Sequence, residues 1–233
     1  MFVIGLLLAL STSAMALTAG TIPGGTNDNE FARLFSGPGK EMGGYFGGQL
    51  YLSGATANTF IVLDYYGAEA GYHNEFNFLG IERFDHAGGN TIPATLTPKS
   101  TLSVFNVSNG LLDFSFDYNN NAGSVVNGLN TDNTTANIPN FFLTFNPFSQ
   151  AAGGATSGTS VWLFLDDGAS VDDNHDDMLV RITVNGGSIN TDPEPVPEPA
   201  TVVLFGLGLL SLVGIRRKNK RWILLTTTII TRI

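Results

Sequence analysis

Residues 111–118 read LLDFSFDY. Leu112, Phe114, Phe116 and Tyr118 alternate with Asp113, Ser115 and Asp117, a period of two that a strand turns into one apolar and one polar face. A helix would scatter the same aromatic residues around its circumference. Asn109-Gly110 stands just before the run and is a turn signal of the hairpin type. The segment therefore predicts a strand with one face in a core and the other toward water.

Working outward, the same kind of segment recurs between clusters of Gly, Asn and Pro. Gln49–Leu52, Asn58–Tyr65, Glu75–Phe84, Thr101–Val107, Phe141–Phe145, Ser160–Leu165 and Met178–Val184 all read as strands. No stretch of a dozen residues in this region keeps a helical period. The expected fold is all-β, a β-sandwich of jelly-roll type built from about eight antiparallel strands. Asn119–Asn140 reads as a surface loop, and Leu17–Met42 as an ordered edge or a loose arm.

Composition agrees. The 233 residues include 28 Gly and 17 Phe, and only 13% are charged. That is the make-up of a loop-rich β protein, whereas exposed helices would need more Lys, Glu and Ala. Between Leu17 and Pro199 stand all 20 acidic residues and only five basic ones, Arg33, Lys40, Arg83, Lys99 and Arg181. Such a body has no basic stripe to neutralise phosphates, which argues against nucleic acid as a partner. A metal cation suits it better. With no cysteine, disulfides, thiolate nucleophiles and Cys-based metal sites are excluded.

The two ends read as addresses. Residues 1–16 have the form of a signal peptide: Phe2–Leu10 is an apolar run, and Ala14-Met15-Ala16 supplies the small residues that signal peptidase requires. No Lys or Arg precedes the run. At the other end, residues 193–199 alternate proline with other residues and form an extended spacer behind the 17–192 ectodomain. Residues 200–215 are uncharged and long enough, as a helix, for about 24 Å. They read as a single transmembrane helix, short for a hydrocarbon core of about 30 Å. Residues 216–233 open with Arg216-Arg217-Lys218, a stop-transfer cluster that stays cytoplasmic, and continue as an apolar tail from Trp222 to Ile230.

Pro197-Glu198-Pro199, the Leu/Gly-rich run and Arg216-Arg217 resemble the PEP-CTERM sorting signal of Gram-negative bacteria. The resemblance implies an exported protein, held for a time in the inner membrane and then cut by an exosortase for release to the cell surface or beyond. It also implies cells that make exopolysaccharide and biofilm. The apolar continuation past Arg221 departs from the pattern, which ordinarily stops soon after the basic cluster.

Chemistry in the body concentrates in LDDGASVDDNHDDM, residues 165–178. Asp166, Asp167, Asp172, Asp173, Asn174, Asp176 and Asp177 crowd the turn between two apolar strands, and like charges that close demand a counter-ion or solvent. Dense oxygen ligands suit Ca²⁺, which takes six to eight of them. Asp172, Asn174 and Asp176 also match the first three ligand positions of an EF-hand loop. The match ends there, with Asp177 where that loop needs glycine and Thr183 where it needs glutamate. A solvated acidic hairpin tip is the plainer reading, and a catalytic pairing of His175 with an aspartate is a third.

A second polar stretch, YYGAEAGYHNEFNFLG, holds Tyr72, His73, Asn74 and Glu75, an aromatic and hydrogen-bonding set suited to a glycan. Its plainer role is a turn that caps strand ends. Together the two stretches resemble a recurring ectodomain of PEP-CTERM proteins that carries no established activity. The functional expectation is a structural or adhesive surface protein associated with exopolysaccharide. A carbohydrate-binding module is the alternative from another class, and a hydrolase using the Asp/His loop a third.

Overall fold

The computed structural model describes residues 17–23, 29–35, 37, 40–133, 138–168 and 173–192, all within one unit, Met1–Glu194. The expected signal peptide (1–16), spacer (193–199), transmembrane helix (200–215) and basic tail (216–233) lie outside these residues. Among the described residues no helix is long and apolar enough to cross a membrane.

The fold is all-β. Its strands, in chain order, are β1 (Thr18–Ile22), β2 (Met42–Phe46), β3 (Tyr51–Ser53), β4 (Phe60–Gly67), β5 (Glu69–Ala70), β6 (Asn74–Phe78), β7 (Ile81–His86), β8 (Gly89–Asn90) and β9 (Ser100–Phe105). There follow β10 (Gly110–Leu111), β11 (Phe114–Tyr118), β12 (Gly123–Val126), β13 (Asn140–Thr144), β14 (Ser157–Gly158), β15 (Ser160–Asp166), β16 (Met178–Asn185) and β17 (Ser188–Asn190). One helical turn, α1 (Ala32–Phe35), precedes β2.

Seven strands form the main antiparallel sheet in the order β1-β2-β13-β15-β16-β4-β9. Its central strand β15, SVWLFLD, is buried on both faces, which explains its continuous apolar run. Val161, Leu163 and Leu165 point into the main core. Trp162 and Phe164, on the opposite face, belong to a second cluster with Phe31, Ala32, Phe46, Tyr66, Phe142 and Leu179. The main core is closed by two four-stranded sheets, β12-β11-β6-β7 and β10-β3-β17-β14. Phe114 and Phe116 of β11 reach Phe141 of β13 with ring centroids 5.4 and 5.9 Å apart, so these sheets pack face to face. Burial of such a ring stabilises the fold by about 1.5–3 kcal/mol.

The alternation read in LLDFSFDY is present. Leu112, Phe114 and Phe116 are buried, and Asp113, Ser115 and Asp117 are not. Glu75–Phe84, expected as one strand, is two, because Leu79 and Gly80 adopt positive φ and turn the chain between β6 and β7. Asn109-Gly110 joins no paired strands: β9 pairs with β4 and β10 with β3. The expected surface loop Asn119–Asn140 is also more ordered than its composition suggests. It holds β12 and two buried amides. Asn127 donates to the carbonyls of Leu50 and Leu112 at 2.9 and 2.7 Å, and Asn130 donates to the Phe141 carbonyl at 2.8 Å. Each amide side chain completes backbone pairing where a strand stops, which is why a polar stretch is buried.

The N-terminal stretch forms an edge. β1 pairs with β2 over five residues. Gly43 and Gly44 lie so close to the backbone carbonyls of Ala151 and Leu143 that a Cβ would collide with them. Beyond β1, Phe31 and Phe35 lie edge-on to Phe164 at 6.3 and 6.0 Å, and seat the helical turn on the outer face of the sheet.

Candidate metal centre at the end of the sheet

The loop between β15 and β16 lies at one end of the main sheet, and neighbouring chain ends converge on it. Asn140, first residue of β13, pairs with Asp166, last residue of β15. The backbone N–H of Glu69 donates to the Asp176 carbonyl at 2.8 Å. Asn74, first residue of β6, donates from Nδ2 to Asp167 Oδ2 at 3.0 Å, while its Oδ1 accepts from the Asn119 N–H at 3.0 Å. From the N-terminal edge, Asn29 Nδ2 donates to the carbonyls of Asn174 and His175 at 2.5 and 3.1 Å. Asp176 Oδ2 accepts from the Glu30 N–H at 2.8 Å. The two polar stretches, nearly a hundred residues apart in sequence, thus form one assembly.

Inside it, two sets of ligand atoms come together. Asp166, Asp173 and His175 form one, and Asp166, Asp167 and Asp177 the other; in each the atoms lie within 4.8 Å of one another. Asp166 belongs to both. Its Oδ1 accepts from the Gly168 N–H at 2.7 Å, and its Oδ2 lies 4.0 Å from His175 Nδ1. Asp177 Oδ2 accepts from the Asp167 N–H at 2.7 Å. Asp173 and His175 both have positive φ, 50° and 58°, as do Asn133 and Asn119 at 55° and 52°. Left-handed backbone at non-glycine residues costs of order 1–3 kcal/mol each and persists only where the surroundings impose it.

The electrostatics follow from burial. Asp166 is almost wholly enclosed, and desolvation pushes its carboxyl up to about 7, with Asp173 and Asp167 adding like charge. Asp177 is also raised well above the ordinary carboxylate range, first by burial and then by Asp167. His175 has no exposed surface, and burial lowers its imidazole to about 4. Without a counter-ion, the cluster therefore resists carrying its full formal charge at neutral pH.

Sequence reading and structure differ on several residues. Asp172 lies outside the described residues. Asp176 joins neither ligand set, and one of its carboxylate oxygens accepts from the Glu30 N–H. Asn74, expected to meet a glycan, is fully buried and turned toward Asp167, so it supports the acidic loop instead. Tyr72 is about half exposed, while His73 Nε2 bonds to Asp85 Oδ1 at 2.6 Å and lies 3.4 Å from Glu75 Oε1. In the sequence His175 reads as a catalytic base and not as a ligand. The amides of Asn29, Asn119, Asn133 and Asn140 carry no signal in the sequence, where they look like the asparagines of any loop.

Residues 195–218 match the family model of the PEP-CTERM protein-sorting motif. The chain carries a PEP-CTERM sorting signal. The PEP-CTERM motif implies an exported protein processed by an exosortase, with a membrane-anchored intermediate before it reaches the surface. Pro197, Glu198, Pro199, Arg216 and Arg217 all fall within the matched span. No curated protein and no solved structure matches the chain.

Proposed function

We propose that the chain is a non-catalytic surface or matrix protein, delivered by exosortase sorting, whose β-sandwich serves a structural or adhesive role beside exopolysaccharide. The observation that carries this reading is the PEP-CTERM motif at residues 195–218, behind an all-β body. A non-catalytic role is supported by His175, the one imidazole of the acidic cluster, which has no surface that a substrate could touch. Strand order supports the jelly-roll form of the sandwich, since β16 lies beside β4 and β13 beside β2, joining distant parts of the chain. Ca²⁺ is the cation we assign to the oxygen ligands Asp166, Asp167 and Asp177, and it would relieve the repulsion that burial imposes there.

The test is made in an exopolysaccharide-producing host with an exosortase. The chain with Pro197, Glu198 and Pro199 replaced by alanine is expected to stay in the inner-membrane fraction, while the unaltered chain reaches the surface fraction and co-sediments with purified exopolysaccharide. Equal surface delivery of both chains would refute the sorting part. Failure of the unaltered chain to co-sediment would refute the adhesive part.

A second reading, a carbohydrate-binding module, is favoured by the half-exposed Tyr72 ring beside His73 and Glu75. Binding of a defined oligosaccharide that Tyr72→Ala abolishes would support it. An empty glycan array would remove it.

A further inference from the structure

We infer that Asp166, Asp173 and His175 form a mixed nitrogen-and-oxygen site for a first-row divalent ion of the zinc class. The inference deepens the cation reading above, with which it shares Asp166, and changes the chemistry of the ion.

A chain of hydrogen bonds with one direction supports it. Asn133 Nδ2 donates to Asp173 Oδ1 at 3.0 Å, and Asn140 Nδ2 donates to Asn133 Oδ1 at 3.1 Å. Asn140 Nδ2 also donates to the Ile138 carbonyl at 3.0 Å, which fixes the amide independently of its neighbours. Its Oδ1 is therefore the atom that faces His175 Nε2, 2.9 Å away, and Nε2 must carry the proton. In the neutral ring, Nδ1 is then a bare lone pair.

That lone pair is fully buried and has no hydrogen-bond partner among the described residues. It faces Asp173 Oδ1 at 3.5 Å and Asp166 Oδ2 at 4.0 Å. The Asp166 and Asp173 carboxyls can share a proton, but the His175 lone pair that faces them gains nothing from proximity, and a buried acceptor left unpaired costs about 1–3 kcal/mol. A cation between them satisfies all three. Two atoms 3.5 Å apart, each about 2.1 Å from a common ion, subtend about 113° at it, close to the tetrahedral angle of about 109°. The 4.0 Å pair needs a closure of only about 0.5 Å to do the same.

Ligand type then chooses the ion. Imidazole nitrogen suits zinc and its neighbours, whereas Ca²⁺ takes oxygen. A ligating histidine ordinarily donates its second ring N–H to an oxygen that orients it. Asn140 holds that place, and Asn133 orients Asp173 in the same way. Phe46 and Phe142 pack on the imidazole at 5.3 and 6.3 Å and restrict the ring further. The Asp173 side chain keeps 18% of its surface, which leaves an edge through which an ion and a fourth ligand can enter. The competing arrangement is an imidazolium paired with Asp173, which binds no ion.

The experiment uses the untagged full chain in detergent, stripped with chelator and titrated separately with Zn²⁺, Co²⁺ and Ca²⁺. One equivalent of Zn²⁺ is expected to bind, and Co²⁺ to give the visible absorption of a four-coordinate N/O site. H175Q should weaken Zn²⁺ binding by more than about 100-fold, and N133A, which keeps every ligand, by about 10–100-fold. Because His175 is buried, D173N provides the second ligand test in a side chain near the surface. Circular dichroism checks that each variant is folded.

Absence of Zn²⁺ binding overturns the inference, as does Zn²⁺ affinity unchanged in both H175Q and D173N. A Zn²⁺ signal that is lost in H73Q instead would come from the exposed His73–Asp85 pair, and overturns it too. Ca²⁺ binding without Zn²⁺ binding overturns it while leaving the calcium reading intact. Failure of every ion to bind overturns both.

Discussion

Replacing Asp166 with asparagine should stabilise the cation-free protein and at the same time remove its response to metal. Asp166 is buried at the centre of both ligand sets, and its carboxyl is raised from the ordinary 3.8 to about 7. A carboxyl with a raised folded-state value binds its proton more tightly in the fold than in the unfolded chain. Stability at that site is therefore greatest at low pH and is lost as pH rises from about 3.8 through about 7. With about 1.4 kcal/mol per pH unit, the penalty at pH 8 approaches about 4 kcal/mol, and at pH 5 it is below about 2 kcal/mol. An amide carries no charge at either pH. Its Oδ1 can still accept from Gly168 N, and its Nδ2 sets a donor in place of an acceptor 4.0 Å from the unpartnered Nδ1 of His175. The expected gain at pH 8 is thus up to about 4 kcal/mol, or roughly 8–16 °C in Tm for a body of this size. The assay is differential scanning calorimetry of both proteins with chelator at pH 8 and pH 5, repeated with added Ca²⁺ and Zn²⁺. The gap should narrow at pH 5, and added metal should raise Tm only in the unaltered protein. An asparagine variant less stable at pH 8 with chelator, or a gap independent of pH, would refute the account of the cluster as a buried charge that awaits an ion.

Other perturbations probe the scaffold. Phe116→Ala removes a fully buried ring that bridges to Phe141 and should cost about 3–5 kcal/mol, read from the shift in urea midpoint at unchanged slope. Gly43→Ala sets a methyl against the Ala151 carbonyl and should destabilise the β1–β2 edge by at least about 1 kcal/mol, read as faster amide exchange in Thr18–Ile22. His86 lies buried beside Tyr65, its Nδ1 3.3 Å from the hydroxyl, and burial lowers its imidazole below the ordinary 6.5. The unfolded chain therefore takes up that proton first, and acidification through pH 6.5 favours unfolding at this site. An NMR titration should show the His86 ring still neutral after an exposed histidine would be half charged.

Much of the scaffold could be read in the sequence because its faces are written in simple alternation. Leu112, Phe114 and Phe116 announce a half-buried strand, and the unbroken VWLFL of β15 announces one covered on both sides. Partnership is not written in that way. Nothing local to Asn109-Gly110 shows that the strand it opens pairs with β3, because non-local pairing is decided by the core as a whole. The same limit hid Asn127 and Asn130, whose burial depends on the ends of strands far away in the chain.

The acidic cluster shows the limit most sharply. Counting carboxylates located the loop, because charge density is a local property. It could not rank them, since ranking depends on which loops meet there. Asp176 looks like a ligand and serves as a tether to Glu30, while His175 is turned inward by a positive φ and held by Asn140. Asn74, on the other polar stretch, does for Asp167 what Asn133 does for Asp173: each amide donates to a carboxylate and spends none of that carboxylate's charge. A neutral amide donor keeps Asp173 in place without answering its charge. Among the described residues, Arg181 pairs with Asp64 at 2.6 Å and Arg33 with Glu30 at 2.6 Å. Amides that orient and do not neutralise leave the charge available for an ion, and that division of labour is the strongest physical reason to look for one.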